Sequence, residues 1–211
     1  MSNELILYTN PNSRGRFARW MLEEIGAPYR AEILEYGTAM KSPDYLAINP
    51  MGKVPALRHG DTVVTECAAI CTYLADAFPD AGLAPPPAAR GSYYRWLFFA
   101  AGPLEHVVTN RGIGLETPKD KEMTVGYGNL ATVMDALESA VSSSEYIAGD
   151  RFSAADVYCG SHIRWGLHFG SIEKRSAFVD YWSRIGERDA CRRADEIDEA
   201  LIAAAKSGSS E

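Results

Sequence analysis

Two short stretches of the sequence combine residue types that could bind a small peptide-like ligand. In the first, NPMGKVPAL at residues 49–57, a proline stands at the mouth of a predicted strand. If the Val54–Pro55 bond is cis, the backbone N–H and C=O of Val54 turn away from the sheet and can pair with an extended peptide as an added strand. The alternative interpretation is that Pro55 only interrupts an edge strand.

The second stretch, Thr65-Glu66-Cys67, opens a predicted helix. The N-terminus of a helix has unpaired N–H groups and a partial positive charge, and both suit a carboxylate. The side chain of Glu66 could accept a hydrogen bond from a ligand ammonium group. Together the two stretches would hold an amino-acid head group beside an extended backbone, which is what a γ-glutamyl peptide needs. The alternative is ordinary helix capping with an acid in the first turn.

The first 80 residues alternate between strand-like and helix-like segments. Apolar residues at helical spacing run through the segment that ends at Ile25, and Gly26 follows as a C-cap. The tetrapeptide RHGD at residues 58–61 is typical of a hairpin turn. The predicted order is βαβ followed by ββα, with strands at 5–8, 29–34, 54–57 and 63–64, helices at 16–25 and 67–78, and a helical turn at 45–47.

The chain changes character near residue 81. Gly82 and the run APPP at residues 84–87 predict a stiff, extended linker, and no convincing strand follows it. The sequence therefore indicates a small α/β domain followed by an all-helical one. The helices of the second domain are predicted at 91–101, 124–141, 154–166, 178–187 and 190–205.

Composition and charge argue against several other classes of protein. The chain has 211 residues, of which 46% are hydrophobic and 23% charged, as in an ordinary globular protein. It has no run of about 20 apolar residues and no signal-like start, so we expect neither a membrane span nor secretion. A net charge of −7 disfavours nucleic acid or an anionic membrane as main partner. Four cysteines without CxxC spacing (Cys67, Cys71, Cys159 and Cys191) predict reduced thiols in the cytoplasm and no metal site.

The two ligand-binding stretches resemble the glutathione-binding half of cytosolic, bacterial-type glutathione S-transferases. In that family the pattern N-P-x-G-x-V-P-x-L precedes E-S-x-A-I-x-x-Y-L, as NPMGKVPAL precedes TECAAICTYLAD here. FSAAD at residues 152–156 is similar to the N-capping box and hydrophobic staple of the family. The resemblance covers the whole chain. It implies a thioredoxin-like domain at 1–80, a linker at 81–90, and an all-helical domain with an electrophile site at 91–211.

The resemblance also implies a role for each residue of the two stretches. Val54, with Pro55 cis, would give backbone hydrogen bonds to the cysteinyl part of glutathione, and Lys53 would lie near the glycyl carboxylate. Glu66 and Cys67 would hold the γ-glutamyl head group. Position 67 is Cys where the family usually has Ser. Because a thiol is a weaker donor than a hydroxyl, binding there would depend more on the helix N-terminus.

Transferases of this kind must activate the thiol of glutathione. A free thiol has a pKa of about 8.5 and is mostly protonated at neutral pH, whereas only the thiolate attacks well. In the family, a Tyr, Ser or Cys that follows the first strand donates a hydrogen bond to the sulfur. Here the segment YTNPNSRGR contains no cysteine, which argues against the Cys-type transferases that reduce mixed disulfides.

Ser13 is the first candidate for the donor to the sulfur, because it stands at the mouth of the first helix. Asn12 is the second, since an amide N–H can also donate to a thiolate. Tyr8 is the third, but it lies within the predicted strand, where a core position is expected. Arg14 and Arg16 could add positive charge near the sulfur. The alternative role for Ser13 is that of a helix N-cap.

The resemblance implies a detoxification enzyme that adds the glutathione thiolate to a hydrophobic electrophile, with glutathione as co-substrate and no metal. It also implies a homodimer of about 46 kDa, twice the 23.1 kDa of one chain. His106 stands where the family places the electrophile pocket, although a lone histidine is more often structural. Two alternatives stay open: another glutathione-dependent reaction (isomerase, dehalogenase or peroxidase), or a non-catalytic binding or interaction module of the same fold.

Overall fold

A four-stranded mixed sheet forms the centre of the first part of the chain. The computed structural model describes residues 4–208. β1 (Leu5–Thr9) runs parallel to β2 (Tyr29–Ile33) and antiparallel to β3 (Ala56–His59), which pairs in turn with antiparallel β4 (Thr62–Thr65). The strand order is β2-β1-β3-β4. As a central strand that is covered on both faces, β1 is buried along its whole length, which agrees with its nearly continuous apolar sequence.

Two helices cover this sheet. α1 (Gly15–Ile25) and α3 (Cys67–Ala77) pack against each other and against the strands. α1 ends at Gly26, whose φ of 67° lies in the left-handed region, as the sequence predicts for a C-cap glycine. A short helix, α2 (Pro43–Leu46), precedes β3 and starts at Ser42, whose side chain accepts a hydrogen bond from the backbone N–H of Tyr45.

The predicted order of elements in this part of the chain, βαβ followed by ββα, is confirmed. The bounds of β1, β2 and β4 lie within one residue of the prediction, whereas β3 spans Ala56–His59 and not residues 54–57. Proline has no N–H to donate to a strand ladder, so regular pairing starts only after Pro55.

The chain from residue 83 to residue 187 is helical where it is regular, which confirms the predicted α/β plus all-α class. No helix among residues 4–208 combines the length and the apolar character that a membrane span needs. The helices are α4 (Gly91–Phe99), α5 (Glu105–Gly112), α6 (Leu130–Ser143), α7 (Ala154–Phe169) and α8 (Ser176–Gly186).

α4, α7 and α8 match the predicted helices to within three residues at each end, and two helices differ more. α5 was not expected, since Pro103 marks a helix end in the sequence; in the structure, a π-helical turn at Ala100–Leu104 takes up this proline and the chain continues as a helix. α6 begins at Leu130 and not at residue 124, because the side chain of Asn129 caps it by accepting a hydrogen bond from the Thr132 N–H at 2.9 Å.

One buried carboxylate joins three segments of the helical region. Asp156, in the first turn of α7, accepts hydrogen bonds from the Ser153 N–H at 2.9 Å, the Ile147 N–H at 2.8 Å and the Tyr181 hydroxyl at 2.7 Å. The capping box expected at residues 152–156 is therefore present. Burial raises the pKa of Asp156, and its hydrogen bonds, first among them the one from Tyr181, oppose that rise.

The last described helix, α9 (Asp189–Gly208), packs on α1. The chain forms two compact units, one made of the residues up to Gly82 together with those from Arg188 onward, and the other of residues 83–187. The first unit thus includes α9, whereas the sequence assigned that segment to the helical domain at 91–211. The division into 1–80, 81–90 and 91–211 stays a prediction about functional domains.

Charged residues fasten α9 to α1. The guanidinium of Arg19 contacts the carboxylate of Asp198 at 2.9 Å, and both side chains are almost completely buried. Arg16 contacts Asp195 at 3.3 Å and Glu199 at 2.8 Å. Arg16 and Arg19 lie on one face of α1, where their charges require acidic partners. Three carboxylates at helical spacing on α9, those of Asp195, Asp198 and Glu199, are these partners.

We predict that Arg19→Met lowers the free energy of unfolding by about 3–5 kcal/mol, because it removes the close charged partner of the buried Asp198 carboxylate and leaves only the Nε of Arg16, at 4.0 Å. Urea denaturation followed by circular dichroism measures this loss. The matched control is Arg193→Met, which removes the more exposed pair with Glu23 and should cost less than about 1 kcal/mol. Similar losses in the two variants would contradict the assignment of Arg19–Asp198 as the contact that holds α9.

Candidate active site

The loop between β1 and α1 is held by the buried side chain of Asn10. Its Nδ2 donates to the carbonyl of Leu34 at 2.9 Å, and its Oδ1 accepts from the backbone N–H of Asn12 at 2.9 Å. Since β1 and β2 are parallel, their carboxyl ends lie side by side, and Asn10 links the two connections that leave them. The loop that carries the candidate catalytic residues is therefore ordered by the sheet.

Ser13 is buried in this loop and its hydroxyl has two backbone partners. The Oγ donates to the carbonyl of Asn10 at 2.6 Å and accepts from the N–H of Gly15, the first residue of α1, at 3.0 Å. A Cβ on Gly15 would lie 1.9 Å from the Thr9 Oγ1, so only glycine fits here. Asn12 is exposed beside them. Ser13 thus stabilises the start of α1 from the position before the N-cap, which is Arg14 and not Ser13.

Tyr8 and Arg16, the other candidates near the first helix, both have partners within the first unit. Tyr8 is buried in a core cluster, with its ring centroid 5.7 Å from that of Tyr45, as expected for a core position. Arg16 forms ion pairs with Asp195 and Glu199 of α9, so these carboxylates largely neutralise its positive charge. The exposed side chain of Tyr36, which follows β2, donates to the carbonyl of Asn12 at 3.1 Å.

A second asparagine shapes the turn before β3. The buried Asn49 accepts from the Met51 N–H at 3.1 Å and donates to the carbonyl of Lys53 at 2.8 Å. The hydroxyl of Tyr45 donates to the same carbonyl at 2.5 Å. Burial raises the pKa of Tyr45 to about 12, so this hydroxyl is a donor at every physiological pH. These bonds fix the peptide that leads into Val54.

The peptide bond between Val54 and Pro55 is cis, which confirms the prediction. Val54 is partly buried and precedes the first ladder pair of β3, between Ala56 and Thr65, so its backbone lies outside the regular sheet. The side chain of Lys53 is exposed.

The start of α3 lies at the same end of the sheet as Val54, because Thr65 pairs with Ala56. Glu66 is exposed and has a φ of 65° and a ψ of 119°, a left-handed backbone that is unfavourable for any residue except glycine. Cys67 is buried, and its Sγ donates to the carbonyl of Arg14 at 3.6 Å. This contact brings the N-terminus of α3 next to the start of α1.

His106 belongs to the helical unit. It is exposed on α5, its Nδ1 contacts the carbonyl of Gly102 at 2.7 Å, and its ring stacks on Tyr127 with centroids 5.3 Å apart. Tyr127 lines a cavity of about 840 Å³ together with residues from α5, the following connection and the start of α6. His106 thus lies beside the wall of a cavity, while the other candidate residues gather at one end of the sheet.

No group of three or more His, Cys, Asp and Glu side chains that could hold a metal ion occurs within the described residues. The four cysteines, all in that part of the chain, are buried thiols.

Comparison with known proteins identifies the family. A sequence model of the "Glutathione S-transferase, N-terminal domain" matches residues 15–77. A glutathione S-transferase of Escherichia coli O157:H7 named GstA is 34% identical over 167 residues, which are 76% of this chain and 78% of the relative. The chain belongs to the glutathione S-transferase family. The resemblance seen in the sequence is confirmed.

Solved structures of glutathione transferases have the same fold. The crystal structure of a glutathione transferase from Methylococcus capsulatus superposes with a TM-score of 0.77 at 28% identity, and the match covers 93% of this chain and 99% of that one. A homologue from Sulfitobacter, solved with bound glutathione, gives a TM-score of 0.73 at 28% identity, with 92% of this chain and 98% of that chain covered. The thioredoxin-like region followed by a helical region is thereby confirmed.

Sequence reasoning missed the residues that position this site. Asn10 and Asn49 each precede a proline, and Asn-Pro dipeptides favour the start of a turn; this signal could have identified both. No sequence pattern marks Tyr36 or Tyr45. Each hydroxyl donates to a backbone carbonyl, of Asn12 and Lys53 respectively, that only folding brings close.

We predict that Gly52→Ala destabilises the protein more than Gly26→Ala. Both glycines have a left-handed φ, of 58° and 67°, and an alanine there costs roughly 1–2 kcal/mol. At position 52 the added Cβ would also lie 2.6 Å from the carbonyl oxygen of Met40, whereas nothing lies within 4 Å at position 26. The extra overpacking cost is roughly 1–3 kcal/mol, measurable by urea denaturation; equal losses would contradict the close packing of this turn.

Proposed function

We propose that this transferase binds glutathione at the end of the sheet where Val54 and Glu66 lie and adds its thiolate to a hydrophobic electrophile. The observation that carries the proposal is the meeting of three features there. They are the backbone of Val54, which lies outside the strand ladder, the N-terminus of α3, and the loop before α1, which the Cys67–Arg14 hydrogen bond ties to α3. The Sulfitobacter homologue, which shares the fold, was solved with bound glutathione.

In this proposal each part of glutathione has a matching group. The backbone of Val54, whose orientation is set by Pro55, pairs with the cysteinyl part as an added strand would. The N–H groups at the start of α3 bind the γ-glutamyl carboxylate, with Cys67 as the first helical residue. The carboxylate of Glu66 accepts from the γ-glutamyl ammonium, and the exposed Lys53 binds the glycyl carboxylate. The left-handed backbone of Glu66 is typical of a residue held in place for binding.

For thiol activation, the hydrogen bonds of the loop favour Asn12 over Ser13. The single proton of the Ser13 hydroxyl is donated to the Asn10 carbonyl at 2.6 Å, a short bond that a thiolate would have to replace. The Asn12 side chain is exposed, and its amide can donate without breaking a contact of that kind. Arg14 adds positive charge, which lowers the pKa of a nearby thiol.

The electrophile is proposed to bind in the helical unit. The cavity of about 840 Å³ there has an apolar part at Val107, Leu115 and Leu130. The rest of its lining is polar or charged and includes Arg111, Glu122 and Tyr127, on which His106 stacks. The apolar part suits a small hydrophobic molecule, and the polar groups around it could orient an electrophile that also has polar atoms. Aryl halides, enones, isothiocyanates and hydroperoxides, assayed as a panel, separate conjugation from the isomerase, dehalogenase and peroxidase alternatives.

The test is the pKa of the bound thiol, followed by its thiolate absorbance as the pH rises. Wild-type protein should lower this pKa below about 8.5. Asn12→Ala should raise it again and slow conjugation roughly ten- to hundredfold, as the loss of a hydrogen bond of about 1.5–3 kcal/mol to a charged group predicts. Affinity for a glutathione analogue without sulfur should stay nearly unchanged, because Asn12 is proposed to contact the sulfur alone.

Ser13→Ala is the matched variant in the same loop and should mainly reduce stability. A large loss of rate in Ser13→Ala and none in Asn12→Ala would assign the donor to Ser13. Retention on a glutathione column with an unshifted thiol pKa and no turnover of any electrophile would instead support a non-catalytic binding module.

We also propose that the protein is a two-fold homodimer that works in the cytoplasm. Tyr94 and Phe98 on α4 expose 40% and 73% of their surface, which is unusual for large aromatic side chains outside an interface, and the buried thiols suit a reducing compartment. Sedimentation at micromolar concentration should give a species of about 46 kDa, and Phe98→Glu should shift it towards 23.1 kDa. A wild-type monomer would contradict the dimer.

A further inference from the structure

The hydroxyl of Tyr36 reaches the loop that carries the proposed thiol-activating residue. It donates to the backbone carbonyl of Asn12 at 3.1 Å, across 24 positions of the sequence. The Tyr36 side chain exposes 58% of its surface, so core packing does not account for an aromatic residue at this position. The contact with Asn12 is its visible structural role.

Asn12 is held by side chains on both of its backbone polar groups. Its N–H donates to the Oδ1 of Asn10 at 2.9 Å, and its carbonyl accepts from Tyr36. These two peptide groups flank the Asn12 Cα, so together they fix the direction in which the Asn12 side chain leaves the loop. The Ser13 hydroxyl is held by the backbone of Asn10 and Gly15 and also neighbours the Tyr36 hydroxyl.

The Tyr36 hydroxyl keeps its proton throughout the pH range in which a bound thiol titrates. Burial of part of the ring raises the pKa of Tyr36, and the neighbouring Ser13 and the positive charge of Arg14 oppose that rise. The phenol is therefore a steady donor, and a change in the pH profile after its removal reports on the thiol and not on Tyr36 itself.

We propose that Tyr36 is a positioning residue for thiol activation, which aims the Asn12 amide at the sulfur of glutathione by holding the Asn12 carbonyl. The assignment rests on the proposed role of Asn12. It extends the activating apparatus from the β1–α1 loop to the connection that follows β2. Without the Tyr36 hydroxyl, the Asn12–Ser13 peptide is held only through its N–H, which donates to the Asn10 carbonyl at 3.0 Å. The peptide can then tilt about that contact, and the Asn12 amide points at the sulfur for only part of the time.

The test compares Tyr36→Phe with Tyr73→Phe in the full-length protein. Tyr73 is a suitable control because its hydroxyl also has a partner within the first unit, the Nδ1 of His59 at 2.9 Å, yet it does not contact the β1–α1 loop. For each variant the measurements are the pKa of bound glutathione, kcat and KM with 1-chloro-2,4-dinitrobenzene across pH, the affinity for S-methylglutathione, and the melting temperature.

In Tyr36→Phe the pKa of the bound thiol should rise by about 0.5–1 unit, and kcat below that pKa should fall roughly three- to tenfold. The rate should return to the wild-type value at high pH, where the thiolate forms without help. Affinity for S-methylglutathione and the melting temperature should stay unchanged. Tyr73→Phe should keep the wild-type pH profile. A Tyr36→Phe profile that coincides with that of the wild type would overturn the proposal.

A double-mutant cycle separates positioning from direct contact with the sulfur. If Tyr36 acts through Asn12, Tyr36→Phe has no further effect on the thiol pKa once Asn12→Ala is present. An equal shift in both backgrounds overturns the positioning role through Asn12, because Tyr36 then acts on the sulfur directly or through the neighbouring Ser13 hydroxyl. The wild-type measurement tests the proposed function separately, because a wild-type protein that binds glutathione without lowering its thiol pKa overturns both proposals.

Discussion

The hydrogen bonds of the buried Asn10 side chain are the constraint on which the candidate site depends. One amide joins the end of β1 to the connection after β2 through the Leu34 carbonyl and folds the following loop back through the Asn12 N–H. The Asn10 carbonyl in turn accepts from Ser13, which holds the first N–H of α1. Asn10 follows the last pair of β1 and β2, and an amide side chain can donate to one connection and accept from the other.

On the other side of the site, the side chain of Asn49 likewise holds irregular backbone next to a strand. Its amide closes the turn before β3 and holds the Lys53 carbonyl together with Tyr45, while Gly52 supplies the left-handed backbone that the turn requires. Both sides of the site are thus irregular backbone held by buried asparagines next to rigid strands. Backbone groups that are already held in this way would lose little conformational entropy on binding the proposed ligand.

The departure from the family pattern at position 67 has a structural explanation. Cys67 is buried, and its thiol donates to the Arg14 carbonyl, so in this chain the side chain also joins α3 to α1. The α9 carboxylates add a second support on the far face of α1, where Arg19 and Asp198 form a buried pair. α1 is therefore fixed from both sides, which keeps the loop before it in place.

Local sequence determined the order of elements, the hairpin at residues 58–61, the cap at Gly26 and the capping box at Asp156. Periodicity, proline, glycine and short-range capping act within a few residues and can be recognised from local sequence. Predictions failed where distant contacts or local exceptions decide, as at Pro103, which a π-helical turn accommodates. The Tyr36–Asn12, Cys67–Arg14 and Arg19–Asp198 contacts join residues 24, 53 and 179 positions apart. Only the tertiary structure decided these partners, since their side chains meet through strand pairing and helix packing that no local pattern encodes.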